Sequence, residues 1–252
     1  MKLKLNWIPN ALSLGNLTFG FIAILISSNA NQIGKDNSKL FVLSGIFILL
    51  AAVFDGFDGM VARALNATSE LGAELDTLAD LTTFGIAPGF LMYKMILENF
   101  HVYLIGTNSE IPIGMLISAI FPICAAYRLA RFTVLHDPSS FTGLPSPIAG
   151  VIVALFPMVF QQNTITDILT ISGFVLVALL MVSTIKYSKP QVAIRGRFSK
   201  EKLMVAGFLF FVMMVTAFFI APFIFPYLAY GFIFFYVFSG IISLVIQIIQ
   251  EF

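Results

Sequence analysis

Four aspartates stand in an otherwise apolar stretch of this 252-residue chain, as Asp55-x-x-Asp58-Gly59-x-x-Ala62-Arg63 and then Gly72-x-x-x-Asp76-x-x-x-Asp80. On a helix, residues three or four apart share a face, so Asp55 pairs with Asp58 and Asp76 with Asp80. Two such faces converge if the segments pack side by side. A carboxylate left uncompensated in hydrocarbon costs several kcal/mol, so four of them must line a polar cavity and be neutralised there by cations. Ligands that are all oxygen favour Mg²⁺ or Mn²⁺, and ions of this kind commonly serve phosphate chemistry. The chemistry predicted from these residues is therefore metal-assisted work on a phosphate.

The elements that carry them are membrane helices. The chain is 59% hydrophobic and 11% charged, with a mean hydropathy of +0.96, too apolar for a soluble domain of this length. A net charge of +1 gives no sign of a nucleic-acid partner, and the single Cys124 has no partner in the chain for a disulfide. Hydropathy predicts an all-α polytopic fold with about eight spans, near 10–28, 40–62, 70–97, 112–134, 146–162, 167–185, 203–222 and 226–248, with ends good to about four residues. Lys2 and Lys4 precede the first apolar run as in a signal peptide, but Trp7, Pro9, Asn10, Ser13 and Asn16 interrupt its start, so it is read as a retained helix. With the N-terminus in the cytoplasm, eleven of the fourteen Lys and Arg fall on the cytoplasmic side, including Arg63, Arg128, Arg131 and the basic cluster from Lys186 to Lys202. This orientation predicts an integral protein of the cytoplasmic membrane whose aspartates open to the cytoplasm. The chain divides into a core over 1–185, a basic cytoplasmic connection over 186–202 and a C-terminal helix pair over 203–252.

The spacing D-x-x-D-G-x-x-A-R, eight residues, G-x-x-x-D-x-x-x-D resembles the signature of the CDP-alcohol phosphotransferase family at all eight fixed positions within 26 residues. Leu78-Ala79-Asp80, Phe84-Gly85-x-Ala87-Pro88, Tyr127-Arg128-Leu129-Ala130-Arg131-Phe132 and Phe141-x-Gly143-Leu144-Pro145-x-Pro147 are similar to its phosphatidylserine synthase branch in bacteria and archaea. The resemblance covers about residues 5–185. It implies a six-helix membrane core, usually homodimeric, to which this chain adds about two C-terminal helices. It also implies transfer of a phosphatidyl group from CDP-diacylglycerol to an alcohol, here L-serine, with release of CMP and with two Mg²⁺ or Mn²⁺ ions.

Carried over residue by residue, Asp55, Asp58 and Asp76 are metal ligands, and Asp80 borders the metals and takes the proton of the attacking hydroxyl. Gly59 and Gly72 lack side chains where a nucleotide or diphosphate must approach backbone closely, and Ala62 keeps the same face open. Arg63 offers a fork of donors to phosphate or to a neighbouring carboxylate. Asn10, Ser13 and Asn16 form a polar edge on the first helix that either hydrogen-bonds the cytidine or packs that helix against its neighbours; both readings stay open. Arg128 and Arg131 serve either as positive-inside anchors or as the site for the carboxylate of L-serine, and the resemblance favours the second.

Competing readings make distinct demands. A transporter with an acidic ion path would be expected to show paired broken helices in two halves, and only one acidic centre is present. Glycerol 3-phosphate or an inositol phosphate as acceptor would bring a dianion and call for a denser basic pocket than two arginines provide. Glu70 and Glu74, which flank Gly72, are expected to be solvated residues at a helix start.

Overall fold

The computed structural model describes residues 7–30, 37–65, 67–103, 110–134, 140–160, 164–188, 224–233 and 237. Among these, three helices are long and apolar enough to cross a membrane: α1 (Trp7–Ser28), α2 (Asn37–Ala64) and α5 (Ile113–Val134). The chain is an all-α integral membrane protein. The first helix turns its large apolar side chains outwards. On α1 the exposed residues include Trp7, Leu14, Phe21 and Leu25, whereas Ser13, Asn16, Gly20, Ala23 and Ser27 are buried. This is the pattern expected where lipid rather than water covers the outer face. Helices then associate through small residues and hydrogen bonds instead of hydrophobic burial. Ser27 Oγ accordingly donates to Ser44 Oγ on α2 at 2.8 Å, and Ser44 Oγ donates to the carbonyl of Ala23 at 2.9 Å. Each such bond stabilises the pair by about 1 kcal/mol.

The segment expected as one span over 70–97 is broken. It runs as α3 (Glu70–Leu81), a π-turn (Thr82–Ile86), α4 (Ala87–Met95) and a 3₁₀ turn (Leu97–Asn99). Pro88 has no N–H for the carbonyl of Phe84, and the Ala87 N–H reaches back to Thr82 instead, so one extra residue enters the ladder. Neighbours hold that turn at close quarters. A Cβ on Gly20 would collide with Thr83, and one on Gly150 would lie 2.9 Å from Phe84. The π-turn offsets the helical phase, so that Asp76 and Asp80 face the site while Phe84 is fully buried in the core.

The span expected over 146–162 is also interrupted. Pro157 lacks the donor needed to continue α6 (Ser146–Ala154), and a short α7 (Phe156–Val159) follows. The expected 167–185 span begins earlier and ends earlier, as α8 (Thr164–Val182). Two short antiparallel ribbons were not anticipated: β1 (Val102–Tyr103) pairs with β2 (Glu110–Ile111), and β3 (Ser140–Thr142) pairs with β4 (Lys186–Ser188). The core includes Phe84, Leu91, Met92, Phe121 and Phe174, with the rings of Phe121 and Phe174 stacked at 4.9 Å, and Cys124 packs into the same cluster. The expected span 203–222, and most of the connection 186–202 and of the span 226–248, lie outside the described residues. Residues 225–233 are helical and dock on the core, since Tyr230 stacks on Phe156 and donates to the carbonyl of Ile152 at 2.8 Å.

Candidate active site

The four aspartates meet where α2 and α3 each pack against α1. Ser69 caps α3, accepting from the Gly72 N–H at 3.1 Å, and this fixes where the second acidic helix begins. Carboxylate oxygens of Asp55, Asp76 and Asp80 lie within 4.8 Å of one another. Asp55 reaches Asp80, and Asp58 reaches Asp76, at hydrogen-bonding range. Each close pair thus takes one aspartate from each helix, in addition to the same-helix faces predicted from spacing. Asp58 and Asp80 are only 6% and 9% exposed.

α1 supplies the polar contacts. Ser13 Oγ donates to Asp58 Oδ2 at 2.7 Å, and Asn16 Nδ2 donates to Asp80 Oδ1 at 3.4 Å. Thr83 of the π-turn donates through Oγ1 to the carbonyl of Asn16 at 3.1 Å, tying the turn after Asp80 to the helix that contacts it. The polar edge of α1 therefore packs against the acidic helices at Ser13 and Asn16. Asn10 instead borders open space.

That space is a cavity of about 160 Å³ lined by Pro9, Asn10, Ser13, Asp58, Gly59, Ala62, Ala67, Thr68, Ser69, Gly72, Ala73 and Asp76. Seven of the residues singled out in the sequence lie on its wall. A Cβ on Gly72 would come within 3.0 Å of Asn10 Oδ1 and 3.1 Å of Ser69 Oγ, so a side chain there would fill the cavity between α1 and α3. The nearest atom to a Cβ on Gly59 would be Arg63 Nη2 at 4.0 Å, so that face stands open. Arg63 is exposed at the end of α2, and Glu70 and Glu74 are exposed on α3. Asp55, Asp80 and Asn16 lie outside the lining.

Asp76 Oδ1 is buried without a hydrogen-bond partner. A buried acceptor without a donor is costly, and this one sits among several carboxylates that repel one another. Hard oxygen donors gathered in this way fit a divalent cation, which Asp55, Asp76 and Asp80 would hold with Asp58 beside them.

The two arginines of α5 have different surroundings. Arg128 is 6% exposed, donates through Nη1 to Ser146 Oγ at 2.9 Å, and lies near enough to Asp55 and Asp80 for its charge to act on both. Arg131, expected beside it as a carboxylate donor, turns its guanidinium onto main-chain carbonyls: Thr142 at 2.7 Å, Val182 and Ser183 at 3.1 Å, and Met181 at 3.2 Å. Sequence reading passed over Ser146 and Thr83, both fully buried. Ser146 was visible only as the variable position between Pro145 and Pro147.

The chain is similar to known proteins over most of its length. The family model described as CDP-alcohol phosphatidyltransferase matches residues 6–185. A CDP-diacylglycerol–serine O-phosphatidyltransferase of Helicobacter pylori is 33% identical over 239 residues, covering 89% of each chain. One of the same name from Bacillus subtilis is 35% identical over 186 residues, 73% of this chain and 90% of the relative. An archaetidylserine synthase of Methanothermobacter thermautotrophicus is 30% identical over 187 residues, 72% of this chain and 70% of the relative.

Proposed function

Because the chain belongs to the CDP-alcohol phosphatidyltransferase family, we propose that it transfers a phosphatidyl group from CDP-diacylglycerol to the hydroxyl of L-serine, giving phosphatidylserine and CMP. The observation that carries this reading is the convergence of four aspartates beside a cavity, with the buried Arg128 next to Asp55 and Asp80.

Asp80 removes the hydroxyl proton as the serine oxygen bonds to the lipid-linked phosphorus, and the bond to the CMP oxygen breaks with its electron pair leaving on CMP. Asn16 holds Asp80 from α1. A pair of Mg²⁺ or Mn²⁺ ions held by Asp55, Asp58, Asp76 and Asp80 would offset the charge that develops on the diphosphate and on the leaving CMP. Asn10, Gly59, Ala62 and Gly72 shape the cavity for the nucleotide and its diphosphate, and Arg63 stands at its rim with donors for phosphate. Arg128 takes the carboxylate of the acceptor.

Serine is favoured over a phosphorylated acceptor because a dianion needs several cations, and Arg131 is already engaged with main-chain oxygens. The names of the relatives point the same way: those from Helicobacter and Bacillus and that from Methanothermobacter differ in the lipid they mention but share serine. The purified protein, given CDP-diacylglycerol and either L-serine, ethanolamine, glycerol 3-phosphate or an inositol phosphate, should release CMP fastest with L-serine. Preference for glycerol 3-phosphate would remove serine while leaving the phosphotransfer chemistry in place.

The positive-inside bias supports a site open to the cytoplasm. With Cys124 replaced, a cysteine at the exposed Glu70 should be shielded from an impermeant thiol reagent in intact cells, while one at the exposed His101 is reached. The reverse pattern would overturn the orientation.

A further inference from the structure

Arg128 and Arg131 stand one turn apart on α5 and share a face, yet only Arg128 adjoins the acidic centre. We infer that Arg131 is a positioning residue: it braces the segment 142–146 against the end of α8, keeps Ser146 on Arg128, and does not touch the acceptor. This rests on the reading of Arg128 as the contact for the acceptor's carboxylate.

The last carbonyls of a helix have no partner within it, and a cation there is favourable. Met181, Val182 and Ser183 present such carbonyls at the end of α8, and Arg131 donates to all three while also reaching Thr142. A guanidinium has five donors in a rigid plane and can join two segments in this way, whereas an ammonium has three at one point.

The braced segment is tightly specified. The N–H of Gly143 donates to the carbonyl of Ile185 at 2.8 Å, and that of Leu144 to the carbonyl of Leu180 at 2.9 Å. Gly143 has φ +80°, and a Cβ there would collide with the Met181 carbonyl and lie 2.7 Å from Arg131 Nη2, so both its conformation and its space exclude a side chain. Three residues on, Ser146 opens α6 fully buried and accepts from Arg128. The brace therefore ends on the side chain that orients Arg128, whose charge reaches Asp55 and Asp80.

The test is a cycle of Arg131→Lys, Ser146→Ala and the double variant, assayed by CMP release with KM measured separately for L-serine and CDP-diacylglycerol. Arg131→Lys and Ser146→Ala should each raise the KM for serine on the order of tenfold, with the donor KM moving less than about twofold. If Arg131 acts through Ser146, the double variant should be little worse than Ser146→Ala alone. Fold-changes that multiply would mean that Arg131 meets the acceptor independently and would overturn the inference. So would a serine KM unmoved by either single change, even with a lowered melting temperature, since Arg131 would then be a support for the fold alone. Wild-type protein that releases no CMP in response to serine would instead remove the serine reading itself, an outcome separable from both.

Discussion

Where α2 and α3 meet α1 the bundle gathers four carboxylates, two from each acidic helix, and leaves Asp76 Oδ1 buried without a donor. At the end of α8 it does the opposite with charge of the other sign: Arg131 is surrounded by main-chain oxygens from two segments, three sharing Nη2 and one accepting from Nη1. Both arrangements come from charged residues three or four apart on a helix. The difference is completeness. A charged set satisfied by its own chain braces the fold, whereas a set of like charges missing a partner leaves room for one from outside, which is the basis of the site proposed above. Arg128 stands between the two, bonded to Ser146 on one side and acting on Asp55 and Asp80 on the other.

The largest effect expected from this contrast is at Asp76. Asp76→Ala should lower CMP release by about 10³-fold or more, because the donor set loses the oxygen it holds ready. Calorimetry with Mn²⁺ should show weakened binding to the same variant, while a chelator should abolish wild-type turnover and added Mg²⁺ or Mn²⁺ restore it. Near wild-type activity in Asp76→Ala with excess metal would break the comparison at its acidic end.

Next in size is Asp80. Asp80→Asn should reduce kcat by about 10² to 10⁴-fold, the range of general-base catalysis, while CDP-diacylglycerol still binds. Loss of donor binding as complete as in Asp76→Ala would merge two roles that the reading keeps apart.

A smaller change is expected at Arg128, where Lys keeps the charge but loses the planar fork. The KM for serine should rise by an amount equivalent to about 1–3 kcal/mol, with the donor KM little changed. Ethanolamine should be a poor acceptor for the wild type, since without a carboxylate it leaves Arg128 without its ligand. Equal use of ethanolamine and serine would separate Arg128 from acceptor choice.

The smallest effect sharpens the role of the π-turn. Thr83→Val preserves shape but removes the bond to the carbonyl of Asn16, at a cost of about 1 kcal/mol. The melting temperature in detergent should fall by a few degrees, with a modest loss in kcat and no change in donor KM. An unchanged melting temperature would mean that close packing against Gly20 and Gly150 holds the turn without that bond.

Much of this was fixed by local sequence. Apolar runs of spanning length determined the helical membrane class, because a backbone in lipid must satisfy its own hydrogen bonds. The spacing of Asp55, Asp58, Asp76 and Asp80 determined that two acidic helix faces would exist, since helical periodicity is a property of the chain itself. The prolines at 88 and 157 carried the breaks that hydropathy averaged away, because a missing N–H is a local event that a long apolar window does not register. What only the tertiary structure decided was partnership. Which aspartate of α2 meets which of α3, that Ser13 and Asn16 turn to the acids while Asn10 borders the cavity, and that Arg128 adjoins the acidic centre while Arg131 caps a helix, all depend on elements distant in sequence. Arg128 and Arg131 have the same chemistry and lie on the same helical face. Their fates diverge because carbonyls at the end of α8, some fifty residues further along the chain, accept from Arg131, whereas Arg128 donates to Ser146.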